Sequence, residues 1–81
     1  MNKEEIFQKV QKTIMDTVGL EENEVMLDAD FINDLGCDSL GLSELIMTFE
    51  DKFDMRISDL EAEKLRSVKN VVDYVFIHQR L

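Results

Sequence analysis

Within this 81-residue chain, Ser39 has the most specific chemical surroundings. It stands in the run Asp34-Leu35-Gly36-Cys37-Asp38-Ser39-Leu40, at the junction between a loop and a predicted amphipathic helix, with Gly36 giving the backbone freedom for a tight approach. A serine there is an ordinary N-cap. The same position also suits a phosphodiester, because the unpaired N–H groups and positive end of a helix stabilise an anion. Without a nearby base the hydroxyl is no nucleophile, so a functional Ser39 is an attachment point that another enzyme modifies.

The remaining catalytic inventory is thin. Histidine occurs once, at His78 near the end of the chain, which leaves a Ser-His or Cys-His pair without support. One cysteine and one histidine also fall short of a Cys/His metal site. Asp28 and Asp30 fit the first and third ligands of a calcium loop. Ile32 then takes the fifth position, Asn33 the place of the turn glycine and Ser39 that of the bidentate glutamate, so an EF-hand is rejected. Looser divalent binding by clustered carboxylates stays open. Cys37 sits just before a helix start, where the dipole lowers a thiol pKa; the commoner role of a lone cysteine is a small apolar filler.

Charge narrows the partners. Eighteen acidic residues against nine Lys and Arg give −9 at pH 7, which disfavours phosphate backbones and anionic lipid. Residues 20–54 hold eleven acids and only Lys52, net −10, while the flanking segments are near neutral. A localised negative surface of this kind reads as either a recognition surface or a solvated loop. Hydrophobic residues at 44% and charged ones at 33% predict one globular domain over residues 1–81 with no stable membrane insertion. A domain this small has little room for both a core and a deep cleft, so a carrier, adaptor or inhibitor fits better than an autonomous enzyme. The lone cysteine and the lack of a secretory pattern point to the cytoplasm.

These residues need elements to position them. Asn2 with Glu5 is a capping-box signal, Ile6, Phe7, Val10, Ile14 and Val18 follow at helical spacing, and Gly19 is a stop. No period holds over residues 20–38, yet Leu20, Val25, Leu27, Phe31 and Leu35 recur there, predicting a long loop pinned to the core. From Ser39 onward Leu42, Leu45, Ile46, Phe49 and Phe53 fall in one arc of about 100°, the core face. The opposite arc mixes Leu40 and Met47 with Glu44 and Asp51, with Ser43 and Glu50 on its flank, as a docking face would. Ser58 and Glu61 form a capping box for a short helix running to about Leu65. Ser67 caps a last helix with Val68, Val71, Val72, Val75 and Phe76 on one face. Its β-branched content favours a strand, but no second strand is available to pair with it. The expected architecture is all-α: a four-helix bundle with a long first loop and a short third helix.

The run Phe31-Ile32-Asn33-Asp34-Leu35-Gly36-Cys37-Asp38-Ser39-Leu40, followed by Glu44-Leu45 and Phe49-Glu50-Asp51, resembles an acyl carrier protein. Downstream, Phe53-Asp54, Ile57, Glu61-Ala62-Glu63-Lys64 and Val71-Val72-Asp73-Tyr74 keep the family order, so the resemblance covers nearly the whole chain. It implies that Ser39 receives 4′-phosphopantetheine from coenzyme A through a phosphopantetheinyl transferase that Asp38 helps to organise. It also implies that the chain is no enzyme but a monomeric carrier, delivering acyl thioesters to loading, elongating or acyl-transfer enzymes of fatty-acid, polyketide or specialised lipid biosynthesis. The second helix would meet basic patches on those partners through Leu40, Glu44, Met47, Glu50 and Asp51. The family admits the acyl chain between its helices, which places Leu42, Ile46, Phe49, Ile57, Leu65, Val71 and Tyr74 near it.

Four positions depart from the common pattern of the family: Gly41 in place of an acid, Ser43 in place of an aliphatic, Arg56 in place of an acid and Ser58 in place of proline. A glycine within the helix also costs about 1 kcal/mol relative to alanine. These changes weaken and re-sign the partner surface, as in a carrier dedicated to a secondary pathway. Alternatives are an aminoacyl or peptidyl carrier, an acidic adaptor of the same fold with Ser39 as a mere cap, and a small thiol enzyme using Cys37.

Overall fold

Helix α1, Lys3–Val18, is framed by the two signals its sequence carries. The Asn2 side chain accepts from the Glu5 backbone N–H while the Glu5 carboxylate accepts from the Asn2 N–H, and Gly19 closes the helix at φ 84°, a left-handed conformation that costs glycine little. A computed structural model describes residues 1–79 of the chain. Three further helices follow: α2, Ser39–Phe53; α3, Asp59–Ala62; and α4, Val68–His78. The described residues contain no β-strand, only an isolated bridge between Asp30 and Ser67. The all-α bundle expected from the sequence is the fold, and the β-branched run near the C-terminus is helical, with its apolar face packed against α1.

Helix α1 packs chiefly against α4 and secondarily against α2. Ile6, Val10 and Ile14 meet Leu45, Ile46 and Phe49 and the valines 68, 71, 72 and 75 in one buried cluster. Three residues expected in that core lie outside it: Val18, Leu27 and Phe76 are exposed. Val18 is the last helical residue, and Phe76 lies at the edge of the valine arc, where the Lys3 ammonium sits 5.3 Å from its ring centroid. Leu27 contributes its carbonyl instead of its side chain, accepting from the Lys69 N–H at 2.9 Å.

The long connection of residues 20–38 is ordered by hydrogen bonds at both ends. Near α1 the Gln11 amide donates to the carbonyls of Glu22 and Val25, holding a short 3-10 turn at Glu22–Glu24 within a stretch that carries no sequence period. Near α4 the Phe31 N–H donates to Arg66, and the Val68 and Lys69 N–H groups donate to Ala29 and Leu27. Val25, Ala29, Phe31, Leu35 and Cys37 are buried along this path. Helix α3 is shorter than expected. Ser58 caps it by accepting from the Glu61 N–H, but the return bond of a capping box is absent, and i to i−3 bonds at Lys64 and Leu65 wind the chain inward so that Leu65 enters the core.

Candidate functional site

Ser39 is the first residue of α2, and the cap before it is Asp38. The Asp38 carboxylate oxygen Oδ1 accepts from the Gly41 N–H at 2.7 Å, a short charge-assisted bond at the positive end of the helix. Asp38, not Ser39, is therefore the N-cap, which corrects the reading of Ser39 as an ordinary cap. Its side chain is exposed, and its hydroxyl has no hydrogen-bond partner among the described residues. The N–H groups of Ser39 and Leu40 likewise find no acceptor there, which is the ordinary state of a first helical turn and the donor set that an anion would use. The approach is shaped by Gly36 at φ 71°, after which Cys37 donates its N–H to the Phe31 carbonyl and turns inward.

Cys37 is buried, at 8% exposure, instead of poised at the surface. Burial, and secondarily the Asp38 charge, push its thiol pKa up, the opposite of a thiolate activated by a helix dipole. Its place is in the apolar cluster with Phe31 and Leu35. The carboxylates of the loop are also engaged: Asp30 Oδ1 accepts from the N–H groups of Ile32 and Asn33, and Asp34 Oδ2 accepts from the Asp30 N–H. No group of three potential metal ligands is assembled among the described residues.

Along α2, Leu40 and Met47 stand 69% and 63% exposed, and Glu44 and Asp51 are exposed beside them. Among the described residues the ion pair is Lys3–Asp73, at 3.2 Å, so no ion pair among them neutralises this acidic face. Glu50 is different. Grouped by its sequence position with the docking acids, it is half-buried, and its Oε2 accepts from the Ile57 N–H at 2.7 Å. Nothing in the seven-residue spacing between Glu50 and Ile57 signals that contact.

The residues expected around an acyl chain are brought together. Ile46, Phe49, Ile57, Leu65 and Val71 are buried, with Leu42 and Tyr74 half-buried against them. Two open depressions on the surface lie elsewhere. One separates the C-terminal ends of α2 and α4 beside Asp51, Met55, Arg56 and His78; the other lies where Phe7 and Gln11 face Met26. His78 stacks on Tyr74 with 4.0 Å between ring centroids and bonds the Tyr74 carbonyl through Nδ1, far along the chain from Ser39. No helix is long and apolar enough to cross a membrane among the described residues.

The profile of a family described as "phosphopantetheine attachment site" matches residues 8–75. The chain is 51% identical over 79 residues to an acyl carrier protein of Rubrobacter xylanophilus, covering 98% of each. It is 49% identical over 75 residues to one of Akkermansia muciniphila, covering 93% of this chain and 94% of that one. A solved structure of the acyl carrier protein from Enterococcus faecalis superposes with a TM-score of 0.80 at 35% identity, over 98% of this chain and 100% of that chain.

Proposed function

Since this chain belongs to the acyl carrier protein family and works as a carrier, not a catalyst, bearing 4′-phosphopantetheine, we propose that Ser39 is the residue that receives the arm. One observation carries the assignment: Asp38 holds the cap of α2, and the Ser39 hydroxyl at its start is exposed, with no hydrogen-bond partner among the described residues. The residues fit the group. A phosphodiester at Ser39 meets free backbone N–H groups and the positive helix end, and the exposed hydroxyl is open to a transferase. When attached, the arm supplies the thiol that carries acyl groups as thioesters. Asp38 positions the serine through the cap and presents the carboxylate that the transferase recognises.

Leu40 and Met47 supply apolar contact with partner enzymes, and Glu44 and Asp51 supply charge toward basic patches. Such charges speed encounter and confer salt sensitivity without tight binding, which suits a shuttle that must leave each enzyme. Full-length identity near 50% to relatives named simply as acyl carrier proteins favours fatty-acid biosynthesis over a dedicated secondary pathway, with Gly41, Ser43 and Arg56 adjusting partner preference. The free Ser39 hydroxyl removes the motive for an adaptor with Ser39 as a mere cap, and buried Cys37 that for a thiol enzyme.

The test is incubation with coenzyme A, magnesium and a broad-specificity phosphopantetheinyl transferase, followed by intact mass. The expected result is a gain of one phosphopantetheine that Ser39→Ala abolishes. A gain that survives Ser39→Ala moves the site, and no gain in the native chain overturns the reading.

A further inference from the structure

Glu50 is the point where α2 grips the connection to α3. Its carbonyl accepts from the N–H groups of Asp54 and Met55, and its carboxylate takes the Ile57 N–H at 2.7 Å. Between these anchors Asp54 adopts φ 49°, ψ 55°, a left-handed conformation unfavourable for a residue with a side chain. The turn therefore persists because its surroundings hold it. From α4 the Tyr74 hydroxyl reaches the Arg56 carbonyl only at 3.5 Å, a weak tie. The burden falls on the short carboxylate bond, which is partly shielded from water and charge-assisted. The Glu50 and Glu61 carboxylates also add to burial in raising the Tyr74 hydroxyl pKa, which places both acids within electrostatic reach of this corner.

What the bond holds is a wall of the interior. Ile57 is 8% exposed and belongs to the same cluster as Phe49, Leu65 and Val71, two of which are fully buried. With this interior close-packed, anything entering between α2 and α3 must displace Ile57 and lengthen the 2.7 Å bond. We propose that Glu50 is a latch on the α2–α3 connection that positions Ile57 and sets how readily the interior admits an acyl chain. The inference rests on the carrier reading. It moves Glu50 from the docking face to cargo control.

Two measurements test it with Glu50→Gln, Glu50→Ala and the exposed-site control Lys52→Ala. On the unmodified chain, amide hydrogen exchange at Ile57 is expected to quicken about tenfold or more in Glu50→Ala, less in Glu50→Gln, and not in the control. On the chain loaded through its arm, the rise in Tm from a two-carbon to an eight-carbon acyl group is expected to be larger in Glu50→Gln than in the wild type, because entry no longer breaks a charged bond. Glu50→Gln is nearly isosteric and keeps both measurements decisive if the alanine variant fails to fold. Wild-type exchange at Ile57, or an unchanged acyl-length effect on Tm, overturns the latch alone. A wild-type chain that takes no phosphopantetheine overturns the carrier reading and the proposal with it.

Discussion

Asp38 combines two physical roles that substitution can separate. As N-cap of α2 its Oδ1 accepts from the Gly41 N–H at 2.7 Å, and its charge lies against the positive end of a helix of 15 residues. Replacing an Asp cap by alanine costs about 1 kcal/mol, and losing the charge–dipole attraction adds about 0.3–1 kcal/mol at low ionic strength. At about 4–8 °C per kcal/mol for a domain of this size, Asp38→Ala should lower Tm by roughly 5–16 °C. Asp38→Asn retains an acceptor in the capping geometry and loses only the charge, so its Tm should fall by roughly 1–8 °C. The two losses also differ in salt dependence. The charge component is screened by about 0.5 M salt, where the asparagine variant should approach the wild type while the alanine variant stays low. Circular dichroism melts of all three chains at low and high salt make the comparison, with phosphopantetheinylation rates measured on the same samples. An asparagine variant that folds at near-native stability yet takes the arm slowly would assign the carboxylate itself to transferase recognition. Asparagine and alanine variants with equal Tm at both salt concentrations would refute the capping argument.

Gly41→Ala should raise stability by about 0.5 kcal/mol: helix propensity favours alanine by about 1 kcal/mol, and an added Cβ would meet Asp38 Oδ1 at 3.2 Å, a tight contact that the exposed carboxylate can relieve. Urea midpoints decide the sign, and a loss would mean that the cap does not yield. Burial raises the Cys37 pKa above its unfolded value of about 8.5, so the associated stability is complete below that pH and lost as pH climbs through the folded value. Urea denaturation from pH 7 to 10 should therefore show a decline that Cys37→Ala flattens, and alkylation of native Cys37 should be far slower than that of the unfolded chain. Phe49→Ala, at a fully buried position, should cost about 3–5 kcal/mol, whereas Leu27→Ala, at an exposed one, should stay within about 0.5 kcal/mol; comparable losses would contradict the packing described.

Much of this protein is legible in short stretches of sequence, because the governing interactions span three or four residues. Asn2 and Glu5 close a capping box around the start of α1, Gly19 ends that helix, and Leu45, Ile46 and Phe49 face inward as their spacing requires. The acidic excess of residues 20–54 and the exposure of Leu40 and Met47 follow from composition and helical phase. Local rules misplace residues whose fate depends on distant neighbours. Phe76 shares the valine phase of α4 but lies at its edge under Lys3, and Leu27 lies among apolar residues yet contributes only its carbonyl, to Lys69.

The sequence by itself therefore determines the helices, the buried faces and the exposed serine at the head of α2. Tertiary structure decides how residues 20–38 run, because their bonds join Phe31 to Arg66 and Ala29 to Val68 across more than thirty positions. It also decides that Asp38, not Ser39, caps the helix, that Cys37 turns inward, and that the Glu50 carboxylate accepts from the Ile57 N–H. Each of these choices sets the loss of water against the gain of a specific bond, and only the folded surroundings fix that balance.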